Sequence, residues 1–194
     1  MRMEVNKMVK LAVLSALGIV LMTLVRFPIF PAAPFLEYDA GDISALIGTF
    51  IYGPVAGLII TFIVSVIQAM TVSAGAGWVG AVMHMAATGT MVIVAGLIYR
   101  RLHTLKGAIV AMIAGSLSMT AVMVVLNLIL TPLFMGAPLE VVKAMLLPVI
   151  IPFNLIKAFG NSIITAFVYK SVGRILRASA APSARPAAGK MTQI

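Results

Sequence analysis

Six apolar runs follow one another along the chain and restrict its fold more than any other feature. Most of them approach the roughly 20 residues that an α-helix needs to cross about 30 Å of hydrocarbon. The composition agrees, because 62% of the 194 residues are hydrophobic and 10% are charged, with a mean hydropathy of +1.14. Such values are typical of membrane proteins. The sequence therefore predicts an all-α integral membrane protein, a six-transmembrane-helix bundle with spans at residues 11–25, 43–52, 55–72, 79–98, 108–130 and 149–168.

The net charge of +9 would suggest a nucleic-acid partner in a soluble protein, but the placement of the charges indicates topology instead. Eleven of the fourteen lysines and arginines precede the first run, lie between the fourth and fifth runs, or follow the sixth. With six spans these positions fall on one side of the membrane, which the positive-inside rule makes cytoplasmic. We therefore expect a multi-pass protein of the cell membrane with both termini in the cytoplasm and no nucleic-acid partner.

The first run is interpreted as a retained span, and a cleaved signal peptide is the competing interpretation. Arg26 and a cluster of prolines separate its apolar core from the alanine pair at residues 32–33, the candidate cleavage site. Residues 1–177 are expected to form a single six-helix membrane domain. Residues 178–194 are small, polar and proline-bearing, which favours a disordered cytoplasmic tail.

The second run, residues 43–52, is too short to cross the membrane alone, since its ten residues would rise only about 15 Å as a helix. A tight cytoplasmic turn at Gly53-Pro54 is expected to separate it from the third run. The preceding segment, RFPIFPAAPFLEYDAGD, has prolines that forbid regular helix and polar groups that would be costly in lipid. We expect this loop between helices 1 and 2 to fold inward and wall a pocket. An ordinary surface loop with a short tilted span is the alternative.

Lys157 is the strongest single indication of a functional site, because a cation inside a span costs about 2.5 to 3.5 kcal/mol on insertion scales. Asn154 precedes it by three residues and lies on the same helical face. If the sixth helix begins near Pro152, Lys157 lies about 7 Å from the outer end and could instead snorkel to the surface. Asn127 falls at a similar depth in the fifth run. Together these groups predict a polar-lined pocket suited to an uncharged, planar solute rich in amides.

Two further polar side chains, Gln68 and His84, occur inside the third and fourth spans. They could line a proton path or bond to neighbouring helices. The chain contains no cysteine, no G-x-x-x-x-G-K-[ST] and no H-E-x-x-H, so a P-loop and a zinc protease site both lack their residues. We therefore expect a protein that is not an enzyme, with no metal site and no cofactor of its own.

Several segments of the chain resemble the substrate-binding S components of energy-coupling factor (ECF) vitamin transporters, most closely the riboflavin-specific branch. They are FLEYDAGDISALIG at residues 35–48, YGP at residues 52–54, GLIYR at residues 96–100 and PFNLIK at residues 152–157. The resemblance covers residues 9–177 and implies a six-helix bundle that binds vitamin from outside, beneath the loop between helices 1 and 2. A serine is more usual than Gly41 in this pattern, which leaves Asp42 to cap helix 2.

The resemblance also implies the ligand site and the partners. Riboflavin, with FMN as a second candidate, would be held by Asn154, Lys157, Asn127, Leu36, Tyr38 and Asp39. Ala12 and Ala16 would contact a membrane T component, and two cytoplasmic ATPases would power uptake. An S component for another vitamin and an ion-coupled secondary carrier are the alternatives.

Overall fold

The computed structural model of the protein describes residues 2–31, 33–75 and 77–178. Within these residues the chain forms α-helices joined by short connections, and one small hairpin. The helices are α1 (Arg2–Leu24), α2 (Asp42–Tyr52), α3 (Pro54–Met70), α4 (Gly77–Leu102), α5 (Leu105–Met135), α6 (Leu139–Met145) and α7 (Ile151–Ala178). The strands are β1 (Arg26–Pro28) and β2 (Glu37–Asp39), and a π-helical turn, Leu146–Ile150, connects α6 to α7.

Four helical stretches in the described part of the chain are long and apolar enough to cross a membrane. They are Val5–Leu24, Gly77–Leu102, Leu105–Met135 and Leu139–Tyr169. Two further apolar helices, α2 and α3, are shorter. The structure is thus that of a mostly helical membrane protein, as the composition predicted.

The short helix α2 lies in the middle of the bundle, where it packs against α1, α3, α4 and α7. Its residues from Asp42 to Thr49 are buried. A turn at Gly53 follows, with a φ of +93° that favours glycine, and Pro54 is the first residue of α3. The predicted Gly53-Pro54 turn is confirmed. The expectation that Asp42 caps α2 is wrong, since the residue before the helix is Gly41 and no side chain caps it.

The segment between α1 and α2 packs onto α6, the π-helical turn and α7. Its strands pair antiparallel, with Arg26 opposite Asp39. Ala33 and Leu36 in this segment are buried together with Ile150 and Phe153. The segment is therefore packed against the helical bundle at the start of α7.

Pro152 does not begin the helix after a loop, because α6 and the π-helical turn precede α7 without a break. A proline ring clashes with the carbonyl four residues earlier in a regular α-helix. Directly before Pro152 the backbone leaves the α-helical pattern, since the N–H of Ile151 donates to the carbonyl of Leu146, five residues earlier. Lys157 consequently lies well inside a continuous helical stretch, and the helix start near Pro152, on which the expected depth of about 7 Å rested, is wrong. The predicted tail lies outside the described residues, apart from Ala178 at the end of α7.

Candidate functional site

A cavity of about 470 Å³ lies between the segment that joins α1 to α2 and the helices α3, α4, α5 and α7. Its size is within the range of small-molecule pockets in proteins. Apolar side chains form much of its wall, among them Met83, Met119, Met123, Phe134 and Phe153. Methionine and phenylalanine side chains pack well against the faces of a planar aromatic molecule.

Four of the six residues predicted to bind ligand line this cavity, namely Leu36, Asn127, Asn154 and Lys157. Asn154 is 1% exposed and Lys157 is 7% exposed. The other two, Tyr38 and Asp39, do not line the cavity in the part of the chain that the structure describes. Both side chains are buried in the protein. The helical face shared by Asn154 and Lys157 is thus turned toward the cavity.

Lys157 is held in a buried ion pair. Its Nζ donates a hydrogen bond of 2.6 Å to Asp39 Oδ2, and both side chains are nearly inaccessible. A buried cation is tolerated when an anion and hydrogen bonds replace its lost hydration. The alternative that Lys157 snorkels to the membrane surface is therefore wrong. An ammonium has three N–H donors, so Lys157 retains donors beyond the one that Asp39 accepts.

The Asp42 carboxylate joins three helices. Its Oδ1 accepts a hydrogen bond of 3.0 Å from Thr88 Oγ1 and lies 2.8 Å from His84 Nε2, while Oδ2 accepts one of 3.3 Å from Asn161 Nδ2. His84 Nδ1 lies 2.8 Å from Ser65 Oγ. His84 therefore bonds to the neighbouring helices α2 and α3, and its ring also lines the cavity.

Tyr38 and Asn161 attach the β2 strand to α7. The Tyr38 hydroxyl donates a hydrogen bond of 2.8 Å to Asn161 Oδ1, and Asn161 Nδ2 donates one of 3.0 Å to the backbone carbonyl of Asp39. Burial, with a contribution from the charge of Asp39, raises the pKa of the Tyr38 hydroxyl above its ordinary value of 10.0. Tyr38 is therefore a neutral donor, and both hydrogen bonds of Asn161 hold the strand that carries Asp39 against α7.

Two buried side-chain oxygens in the described part of the chain have no hydrogen-bond partner, Gln68 Oε1 and Asn154 Oδ1. Both residues line the cavity. Asn154 Nδ2 donates to the carbonyl of Ile150 at 2.8 Å, which leaves its oxygen as the unused group. An unpaired buried acceptor costs about 1–3 kcal/mol, and a donor from a ligand would remove that cost. The residues of the wall thus include two unpaired acceptors and the ammonium of Lys157.

The amide of Asn127 is paired within its own helix. Its Nδ2 donates to the carbonyl of Met123 at 2.8 Å, and its Oδ1 accepts a hydrogen bond of 2.9 Å from Thr131 Oγ1. The amide is fixed in orientation by these two contacts. Asn127 therefore lines the cavity with a polar side chain whose amide is already paired.

An ion pair between Arg26 and Glu37, which was not predicted from the sequence, lies at the edge of the cavity. Arg26 Nε donates a hydrogen bond of 2.7 Å to Glu37 Oε2, and Arg26 Nη2 contacts the same oxygen. Both side chains line the cavity and are partly exposed, at 17% and 33%. The two residues lie on the paired strands β1 and β2, so the ion pair closes the hairpin beside the ligand space.

Asn161 was missed although a signal for it existed. It lies four residues after Lys157 and seven after Asn154, so the polar stripe of α7 extends through it. Asp42 was noticed but assigned to a helix cap. Its partners come from α4 and α7, at positions that local sequence patterns do not connect.

Comparison with known proteins places these features in a family context. Residues 6–169 match the family described as the substrate-specific component of ECF transporters. The chain is similar to the riboflavin transporter FmnP of Bacillus subtilis, with 31% identity over 176 residues, 86% of this chain and 92% of the relative. It is also similar to the riboflavin transporter RibU of Staphylococcus aureus, with 30% identity over 184 residues, 91% of this chain and 96% of the relative. A solved structure of the S component of a bacterial ECF transporter matches with a TM-score of 0.73 and 30% identity, and the match covers 90% of this chain and 99% of that one.

Proposed function

This chain belongs to the family of substrate-specific components of ECF transporters, and from that premise we propose that it captures riboflavin for uptake. The family resemblance noted in the sequence is confirmed, and the protein is a transporter component rather than an enzyme. The observation that carries the proposal is the unpaired acceptor Asn154 Oδ1 beside the ammonium of Lys157, in the wall of a cavity of about 470 Å³. Relatives named riboflavin transporters at about 30% identity support the choice of vitamin.

The groups of the cavity complement the polar edge of a flavin ring. That edge carries one imide N–H between two carbonyl oxygens. Asn154 Oδ1 would accept from the imide, and Lys157 Nζ would donate to a neighbouring carbonyl with a proton that Asp39 does not use. Met119, Met123 and Phe153 would cover the apolar faces of the ring. Leu36 lies in the segment that would cover the bound ligand, and Asn127 would add polar wall.

The proposed topology has six membrane crossings, made by α1, α2, α3, α4, α5 and α7, with both termini in the cytoplasm. The segment between α1 and α2 would then face the outside of the cell membrane and fold inward over the cavity. Tyr38 and Asp39 hold this segment against α7 and would support the ligand site from behind. FMN is the second candidate ligand.

The proposed partners are a membrane T component and two cytoplasmic ATPases. Ala12 and Ala16 are exposed on α1, at a spacing of four residues that places them on one face. Small exposed residues at this spacing allow another helix to approach closely. This face of α1 is the proposed contact with the T component.

One spectrum of the purified protein tests the proposal. We expect protein extracted in mild detergent to carry a yellow chromophore, or to quench flavin fluorescence when riboflavin is titrated. Absence of both would contradict the assignment, and displacement of riboflavin by thiamin, folate or biotin would indicate another vitamin. Uptake that needs no ATPase and follows a proton or sodium gradient would instead favour an ion-coupled carrier.

A further inference from the structure

Gln68 is the second residue of the cavity wall with an unpaired buried oxygen, and it belongs to α3 rather than α7. Its Nε2 lies 3.4 Å from Asp39 Oδ2. A carboxylate can only accept hydrogen bonds, so the amide nitrogen faces Asp39 and the amide oxygen Oε1 is left as the acceptor. Gln68 lines the cavity together with Lys157 and Asn154. The orientation of Gln68 is thus set by the same anion that pairs with Lys157.

Three polar groups therefore follow one another along the wall. Asp39 Oδ2 accepts from Lys157 Nζ at 2.6 Å and from Gln68 Nε2 at 3.4 Å, so the ammonium and the Gln68 amide are neighbours on one oxygen. Asn154 lies one helical turn from Lys157 on the same face of α7. The order is acceptor, donor, acceptor, from Asn154 through Lys157 to Gln68.

A ligand that matches this order must present a donor, an acceptor and a second donor. In oxidised riboflavin the imide N–H is the only donor on the ring. From the imide N–H the polar edge of the ring runs in two directions. In the first direction a carbonyl is followed by an unprotonated ring nitrogen and then by the ribityl chain, whose hydroxyl groups are donors. In the second direction the other carbonyl is followed by an unprotonated ring nitrogen and then by the apolar ring of the flavin, which has no donor. Only the first direction supplies the second donor.

We infer that Gln68 Oε1 accepts a hydrogen bond from the ribityl hydroxyl nearest the ring, and that Gln68 determines the preference for flavins that carry this chain. The inference rests on the proposed function and adds a specificity-determining residue to the same site. Asp39 is the positioning residue for Gln68, because it holds the amide nitrogen and so leaves the oxygen as the unpaired acceptor. The role of Gln68 is then to recognise ligand, rather than only to bond to a neighbouring segment.

The experiment compares riboflavin with lumiflavin, in which a methyl group replaces the ribityl chain. Gln68→Met keeps the length of the side chain and removes the amide. We expect this variant to bind riboflavin about tenfold more weakly, and to bind lumiflavin with unchanged affinity, because only riboflavin loses a hydrogen bond. Fluorescence quenching titrations give both dissociation constants. The thermal unfolding midpoint of the ligand-free variant reports any structural loss separately.

A role for Gln68 in structure alone would weaken both flavins equally and leave their affinity ratio unchanged, and that result would overturn the inference. If Gln68→Met does not yield folded protein, wild-type protein is titrated with 2′-deoxyriboflavin. We expect binding about tenfold weaker than that of riboflavin, and equal affinity would overturn the inference. If wild-type protein binds riboflavin and either overturning result is obtained, only the role of Gln68 is refuted. Wild-type protein that binds no flavin refutes the proposed function.

Discussion

Lys157 Nζ on α7 donates a 2.6 Å hydrogen bond to Asp39 Oδ2, which lies on the strand just before α2. This contact joins residues 118 positions apart in the chain. It is buried, so each charge has given up its hydration and depends on the other. The ion pair therefore connects the proposed ligand site to the segment that covers it.

Removal of either partner should destabilise the fold. Lys157→Met leaves Asp39 without its cation, and Asp39→Asn leaves a buried ammonium without its anion. We expect each change to cost about 3–5 kcal/mol, and the double variant to cost less than the sum, since it leaves no unpaired charge at this contact. Thermal unfolding in detergent measures the effect. Glu140→Gln removes an exposed pair with Lys143 and should leave the midpoint unchanged.

Loss of the Asn154 acceptor should weaken flavin binding. We expect Asn154→Ala to reduce riboflavin affinity by more than about 1 kcal/mol, because the imide N–H of the ligand would be left unpaired. Fluorescence titration measures the change.

A flavin methylated on the imide nitrogen should bind wild-type protein weakly and show no further loss in the variant. Ser118→Ala is the matched control, since Ser118 donates a hydrogen bond to the carbonyl of Ala114 within α5 and does not line the cavity. Unchanged affinity in Asn154→Ala would remove this residue from the site.

Bulk on the exposed face of α1 should block transport without affecting capture. In Ala12→Trp and Ala16→Trp a large ring would prevent close approach of a partner helix. We expect riboflavin binding to persist in detergent while uptake into cells falls to background. Ala121→Trp, on an exposed position of α5, is the matched control and should transport normally. Normal uptake in both α1 variants would exclude this face as the contact with the T component.

A methyl group at Gly57 should disturb the packing of α2 against α3. A Cβ there would lie 1.9 Å from Thr49 Oγ1 and 3.2 Å from the backbone carbonyl of Ala45. We expect Gly57→Ala to lower stability by about 1–3 kcal/mol, as overpacking does in other cores. Gly89→Ala is the control, because its Cβ would lie 3.4 Å from Leu58 Cδ2, an ordinary contact. Equal unfolding midpoints for Gly57→Ala and wild type would show that α2 and α3 can separate at little cost.

Local patterns in the sequence were sufficient for part of this structure. The spacing of Asn154 and Lys157 predicted a shared face, and both line the cavity. The glycine and proline at residues 53–54 predicted the turn between α2 and α3 because their backbone preferences are intrinsic.

Contacts between distant segments could not be derived in the same way. The pairing of Asp42 with His84 depends on how α2 and α4 pack, and no periodicity connects two residues 42 positions apart. Pro152 was expected to start a helix because proline is favoured in a first turn. The chain instead accommodates it with a π-helical turn, Leu146–Ile150, so the helical stretch begins at Leu139. Tertiary packing of α6 against its neighbours selects that outcome over the local preference.

The enclosure of α2 has a consequence for the response of the protein to its lipids. An eleven-residue helix in contact with lipid would force the bilayer to thin around it, at a cost for each ångström of mismatch. Here α2 is surrounded by four other helices, so the acyl chains do not set its position. Thicker or thinner bilayers would change the tilt of the outer helices while Asp42 and the contacts around it stay in register. The depth of α2 within the protein should therefore be nearly independent of lipid chain length.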